Sequence, residues 1–344
     1  MKIALIGFGV VGQGFAEIVR DKGAELLLKH HFDAKIVAVS DMMKGAVYHP
    51  DGLDCPVLLD AVQKTGKVDA YPDYPGLIRG MNSLQTIRET NADAIIEVTY
   101  TDIKTGQPAL DHCRAALESG KHIATTNKGP IALAYRELKA LAHQHQAHIG
   151  FEGTVMSGTP SLQMGMNALV GCTINEVRGI FNGTTNYILT QMESGKSYSE
   201  ALEEAQELGY AEADPTADVE GHDAMGKVLI LANTVMGGEL SAGDVSCTGI
   251  TALSVQAINE AKANNERWKL IGSARREGNK IVGSVQPVRL PITDPLAGIS
   301  GATNAITFST DLLGDVTLVG PGAGKMPTGF ALLADLLAIH RRIG

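Results

Sequence analysis

The chain opens with Lys2-Ile3-Ala4-Leu5-Ile6, a short run of strand formers. Gly7-Phe8-Gly9-Val10-Val11-Gly12 follows, then a helix-forming stretch to residue 30. No other feature constrains the fold as much as this strand, glycine loop and helix. Three glycines at this spacing do separate jobs. The first permits a tight turn, the second leaves bare backbone where a phosphate approaches, and the third lets helix and strand pack closely. The N–H groups that open the helix have no intrahelical acceptors and favour negative charge. Gly7, Gly9, Val10, Val11 and Gly12 are therefore expected to hold the pyrophosphate of a dinucleotide.

The rest of the first half supports that expectation. Further strands are predicted at 35–39, 94–98, 121–125 and 147–151, separated by helices at 10–30, 81–90, 107–119 and 130–145. Such alternation predicts a parallel sheet with both faces covered. The stretch from Lys44 to Gly80 reads as loops and short helices. Beyond Gly150 the pattern changes: helices at 159–169, 199–208 and 222–236, a strand at 176–181, short β-like runs over 265–308, and a last helix at 328–342. The expected fold class is α/β. A Rossmann-type parallel sheet (1–150 plus 320–344) accompanies a second α+β catalytic and dimerisation domain (151–319). Asp41 ends the second strand, where a carboxylate usually meets the adenine ribose and favours NAD. It lies 29 residues past Gly12 rather than the usual ~20. Lys44, close by, is placed to neutralise a 2′-phosphate, so both NAD and NADP stay open. Ser40, Thr99 after the third strand, and Gly322 within Gly320–Gly324 complete the expected cofactor contacts.

Composition narrows the class. With 344 residues the chain has room for two domains, and its net charge of -9 with no Lys/Arg-rich run argues against nucleic acid. No apolar stretch is long enough to span a bilayer, and the N-terminus lacks the pattern of a secretory signal. Cys55, Cys113, Cys172 and Cys247 have no metal-ligand spacing and read as reduced thiols of a cytoplasmic protein. His143, His145 and His148 read as solvated or internally satisfied histidines rather than a metal site.

Three later segments carry the specific signal. They are Thr125-Thr126-Asn127-Lys128, Phe151 to Pro160 (FEGTVMSGTP), and Asn182 to Leu189 (NGTTNYIL) continued by Leu208 to Lys227 (LGYAEADPTADVEGHDAMGK). The third closely resembles the signature of homoserine dehydrogenases: a Gly-Thr loop before a helix, a Leu-Gly-Tyr loop with Glu and Asp-Pro, and a closing Gly-x-Asp-x-x-x-Lys. The resemblance extends over nearly the whole chain, including the terminal Gly-Pro-Gly-Ala-Gly. It implies reversible NAD(P)-linked interconversion of L-homoserine and L-aspartate 4-semialdehyde, the reduction step toward threonine and methionine. It also implies a homodimer pairing through β-rich elements around 280–308. Family members often carry a fused kinase or regulatory domain, and neither is expected within these residues. Glu152, Val155, Ser157 and Thr159 match positions where the family binds a structural sodium ion.

The residue chemistry is consistent with this resemblance. Reducing an aldehyde puts a hydride on carbon and a proton on oxygen, and a cation beside that oxygen stabilises the forming alkoxide. Lys227 and Lys128 are the candidates, with Lys227 the favoured proton donor and Lys128 a second cation in the site that also touches the cofactor. The substrate ammonium needs carboxylates, which Glu212, Asp218 and Asp223 supply, while Thr184 and Tyr210 shape the pocket. Asp223 and Lys227 stand one helical turn apart. As a surface ion pair alone they would be worth only ~0.3–0.5 kcal/mol. Two rival readings remain at this point: a dehydrogenase for another amino-acid aldehyde or alcohol, and a non-catalytic NAD(P)-binding protein.

Overall fold

The computed structural model describes residues 1–344, which form two compact units: Met1–Gly158 with Gly324–Gly344, and Thr159–Ala323. The first begins with β1 (Lys2–Ile6), α1 (Val10–His30), β2 (Lys35–Asp41), β3 (Gly45–Tyr48), α2 (Cys55–Thr65), β4 (Ile78–Arg79) and α3 (Ser83–Glu89). It continues with β5 (Ala94–Glu97), α4 (Ala109–Glu118), β6 (His122–Thr125), α5 (Lys128–Gln144), β7 (Ile149–Gly150) and α6 (Gly153–Met156). The sheet runs β4-β3-β2-β1-β5-β6-β7. Five strands are parallel; β3 and β4 add an antiparallel edge. The chain order therefore reverses beside β1, so the loops after β1 and β5 leave the same end of the sheet. That is where open α/β sheets bind ligands. Ile3, Leu5, Ile36, Val39, Ala94 and Ile96 are buried in one apolar core, as strands covered on both faces require.

In the second unit come α7 (Ser161–Gln163), β8 (Ile174–Ile180), α8 (Gly183–Glu193), α9 (Tyr198–Glu207), α10 (Thr216–Val219) and α11 (His222–Thr234). Next are β9 (Val245–Cys247), α12 (Val255–Ala263), β10 (Glu266–Glu277), β11 (Lys280–Pro291), β12 (Thr303–Thr310) and β13 (Gly314–Pro321). The sheet runs β13-β12-β8-β10-β11-β9 and is antiparallel except where β11 meets β9. Local chemistry sets the helix starts. The Asn182 side chain caps α8 by accepting the Thr185 N–H at 2.9 Å, and Ser197 with Glu200 forms a capping box on α9. The last helix, α13 (Lys325–Ile343), belongs to the first unit, where Leu332, Leu333 and Leu336 join its core.

Several expectations need correcting. The stretch 44–80 contains two edge strands and an eleven-residue helix, α2, capped by Asp54. The sheet is thus parallel only in part. The helix expected at 159–169 is three residues of α-helix followed by a π-helical turn, Met164–Ala168. β13 extends the second sheet beyond the β-like runs expected over 265–308. No helix is long and apolar enough to cross a membrane.

Candidate active site

In the first unit, the glycine loop has the geometry its spacing predicts. Gly7 has φ +97°, and a Cβ there would sit 2.6 Å from the Val98 carbonyl oxygen, so only glycine fits. A Cβ on Gly12 would meet the Gly7 carbonyl at 2.7 Å, whereas one on Gly9 would meet nothing within 4 Å. No side chain caps the start of α1, and its first turn has no acidic residue. Uncapped N–H groups beneath open space, with exposed Val10 beside them, suit an incoming pyrophosphate. The residues present therefore fit a dinucleotide.

Asp41 braces this loop. One carboxylate oxygen accepts the Phe8 N–H at 2.7 Å, and the other accepts the N–H groups of Met43 and Lys44, each at 2.9 Å. Lys44 is half-buried in the same turn. Ser40 is buried; its carbonyl accepts the Gly7 N–H at 2.8 Å and its hydroxyl donates to the Met81 carbonyl. Thr99 follows β5, where its N–H and hydroxyl both donate to the Glu97 carboxylate. Glu97 is fully buried, 3.4 Å from His112 Nδ1. Asn127 caps α5 and donates to the Tyr100 carbonyl at 2.9 Å. Lys128 is thus the first residue of a helix whose cap is tied to the loop after β5.

In the second unit, five predicted residues converge. Lys227, on α11, is buried. Its Nζ donates to the Phe181 carbonyl at 2.6 Å and pairs with Asp223 at 2.9 Å. An ammonium has three N–H donors, so one remains for a ligand. The Asn182 amide donates one N–H to Asp218 at 2.6 Å and one to Asp223 at 3.0 Å. It thereby holds two carboxylates side by side. Burial, and then the charge of Asp223, push the Asp218 carboxyl up; hydrogen bonds from Asn182 and Thr184 oppose this. Thr184 also donates to the Tyr210 carbonyl at 2.6 Å, and the Tyr210 ring lies 5.0 Å from that of Tyr187. Two acids and one ammonium, partly withdrawn from water, are thus gathered around the start of α8 and α11.

The remaining predicted residues make other contacts. Glu212 is exposed, and its backbone carbonyl accepts from Gln206. Gly322 follows β13 and packs against Asn304. Glu152, Val155 and Ser157 are buried around α6 in the first unit, and Thr159 opens the second. Ser157 has φ +52°, and its hydroxyl meets that of Thr328 at 2.8 Å. The Glu152 N–H donates to Asp335 at 3.0 Å; burial and the nearby Glu152 push the Asp335 carboxyl well up.

Sequence reasoning passed over Asn182 and Glu97. Asn182 gave a usable signal, since an Asn before Gly-Thr at a helix start is a cap with a second donor to give. Glu97 gave none: one acid ending an apolar strand does not reveal its partners.

Residues 160–337 match the family described as homoserine dehydrogenase, and residues 7–152 match the homoserine dehydrogenase NAD-binding domain. The chain is 47% identical to an NAD(+)-dependent homoserine dehydrogenase of Pseudomonas canavaninivorans, with 99% of this chain and 96% of that one covered. It is 40% identical to a homoserine dehydrogenase of Methanocaldococcus jannaschii, with coverage of 99% and 98%. Among solved structures it resembles a hyperthermophilic archaeal homoserine dehydrogenase in complex with NADPH, with TM-score 0.84, 29% identity and coverage of 99% and 98%. With both halves of the sequence matched and relatives aligned end to end, the chain belongs to the homoserine dehydrogenase family.

Proposed function

We propose that the protein interconverts L-homoserine and L-aspartate 4-semialdehyde in the cytoplasm, working as a homodimer with NAD as the preferred cofactor. The observation that carries this reading is the Asp218–Asn182–Asp223–Lys227 cluster, two carboxylates held side by side next to a buried lysine. When bound, the nicotinamide exchanges a hydride with the carbon that carries the substrate oxygen. Asp218 and Asp223 attract the substrate ammonium, and Thr184 lies beside them. Lys227 gives a proton to the forming alkoxide, or takes one from the hydroxyl in the reverse direction. The Phe181 carbonyl and Asp223 fix the position of Nζ, so little reorganisation is needed in the transition state. Lys128, which opens α5 in the first unit, is the other candidate cation.

Support for NAD comes from Asp41. A carboxylate pinned by three backbone N–H groups cannot swing away from a ribose, and it repels a 2′-phosphate. Glu152, Val155, Ser157 and Thr159 are read as the ligands of a structural sodium ion, since closely spaced oxygen donors with one carboxylate suit a hard monovalent cation. The test is reduction of NAD and of NADP by the purified protein with L-homoserine and a panel of other amino alcohols. Turnover confined to homoserine and faster with NAD is the expected result. Equal turnover across the panel would favour a broader amino-alcohol dehydrogenase, and none at all would reject the reading.

A further inference from the structure

Asn304, on β12, is 1% exposed, and neither its Oδ1 nor its Nδ2 has a hydrogen-bond partner. No other side chain in the protein leaves both polar atoms of one amide unpaired in the interior. Buried polar groups are normally satisfied, and each exception needs a physical reason. Its surroundings supply one. A Cβ on Gly322 would sit 2.1 Å from Asn304 Nδ2. One on Gly183 would sit 2.7 Å from the Ala302 carbonyl and 3.5 Å from Asn304 Oδ1. The amide is therefore wedged against two bare stretches of backbone. One opens α8 between Asn182 and Thr184, both part of the acid cluster. The other is the glycine-rich exit of β13. Nearby, Asn186 donates to the Thr303 carbonyl at 3.2 Å and also keeps an unpaired Oδ1.

We propose that Asn304 is a positioning residue for the amino-acid substrate. Its amide gains its missing hydrogen bonds from the backbone of Gly183 or of Pro321–Ala323 when the substrate's charged ends settle beside Asn182 and Thr184. Substrate binding satisfies the amide. Part of the substrate affinity thus comes from a residue that touches no substrate atom. This inference rests on the homoserine reading above.

The test uses Asn304→Leu in the full-length protein. Replacing an unpaired buried amide by an apolar group of similar shape is neutral or stabilising. The ligand-free variant should therefore melt at or above the wild-type temperature. Homoserine KM should rise by roughly 10-fold, the loss of one hydrogen-bonding interaction of about 1–1.5 kcal/mol, while KM for NAD changes little. Calorimetric titration of homoserine into the protein with saturating NAD should show the same weakening. Asn304→Asp should restore part of the affinity, since a carboxyl keeps an acceptor in place. If Asn304→Leu does not fold, Asn304→Ala is read by the same criteria. An unchanged homoserine KM and affinity, with a higher melting temperature, would overturn the proposal and leave Asn304 a mere packing defect. Wild-type protein that binds no homoserine would instead reject the underlying reading.

Discussion

Replacing Lys227 by alanine perturbs both chemistry and packing, and the two effects separate. The ammonium holds the Phe181 carbonyl at 2.6 Å and Asp223 at 2.9 Å, with the two side chains 9% and 18% exposed. Removing one partner of a buried pair costs ~3–5 kcal/mol. Here the low end applies, because Asp223 keeps its bond from Asn182 and some contact with water. Loss of an acid–base residue lowers kcat by roughly 10²–10⁴-fold, about 3–5 kcal/mol on the barrier. The assay is steady-state formation of reduced nicotinamide with homoserine, at a temperature well below the variant's melt. kcat should collapse while the dissociation constant for NAD stays near the wild-type value. Lys227→Arg should not rescue, since a guanidinium does not release its proton readily. Lys128→Ala serves as the control. If Lys227→Ala keeps near-normal kcat while Lys128→Ala abolishes turnover, the proton passes through Lys128 and the reasoning from the Asp223–Lys227 pair is wrong.

Gly9→Val places a branched side chain in the open space above the loop; cofactor affinity should fall by at least ~10-fold, about 1.4 kcal/mol, with little change in melting temperature, as titration and thermal melts would report. Asp41→Ala should lower the NAD-to-NADP ratio of kcat/KM, and it should also loosen the Phe8 and Lys44 turns that Asp41 braces, lowering stability; Lys44→Ala should move the ratio the other way. Asp218 has a folded-state pKa above its free value because of burial and Asp223. The folded state therefore holds this proton more tightly, and stability is lost as pH rises from the free value through the raised one. Asp218→Asn should thus raise the melting temperature at neutral pH and lose that advantage in acid, while weakening homoserine binding. A neutral-pH melting temperature below wild type would contradict this.

The first unit was legible in the sequence where local patterns decide structure. β1, α1 and β2 lie within two residues of their predicted bounds, because glycine punctuation and β-branched runs are local signals. β3 and β4 were not legible. β3 forms a tight hairpin with β2, Asp41 facing Gly45, but its four residues are too few to show an alternating pattern, and β4 is two exposed residues that pair with β3 from far along the chain. In the second unit the Asp223–Lys227 pair followed from helical spacing alone. That Asn182 holds Asp218 and Asp223 together did not, since it joins residues 36 and 41 positions apart. Asn304 was equally silent: an asparagine in a strand does not announce that both its polar atoms are unpaired.

The most direct measurement follows the hydride itself. Purified protein is given L-aspartate 4-semialdehyde and reduced NAD with both hydrogens on the transferring carbon of the nicotinamide replaced by deuterium, and the product is analysed by mass spectrometry and NMR. Homoserine with one deuterium on its hydroxyl-bearing carbon is the predicted product, formed by wild type and strongly depressed in Lys227→Ala. Absence of homoserine, or homoserine without the label, would contradict hydride transfer between this cofactor and this substrate.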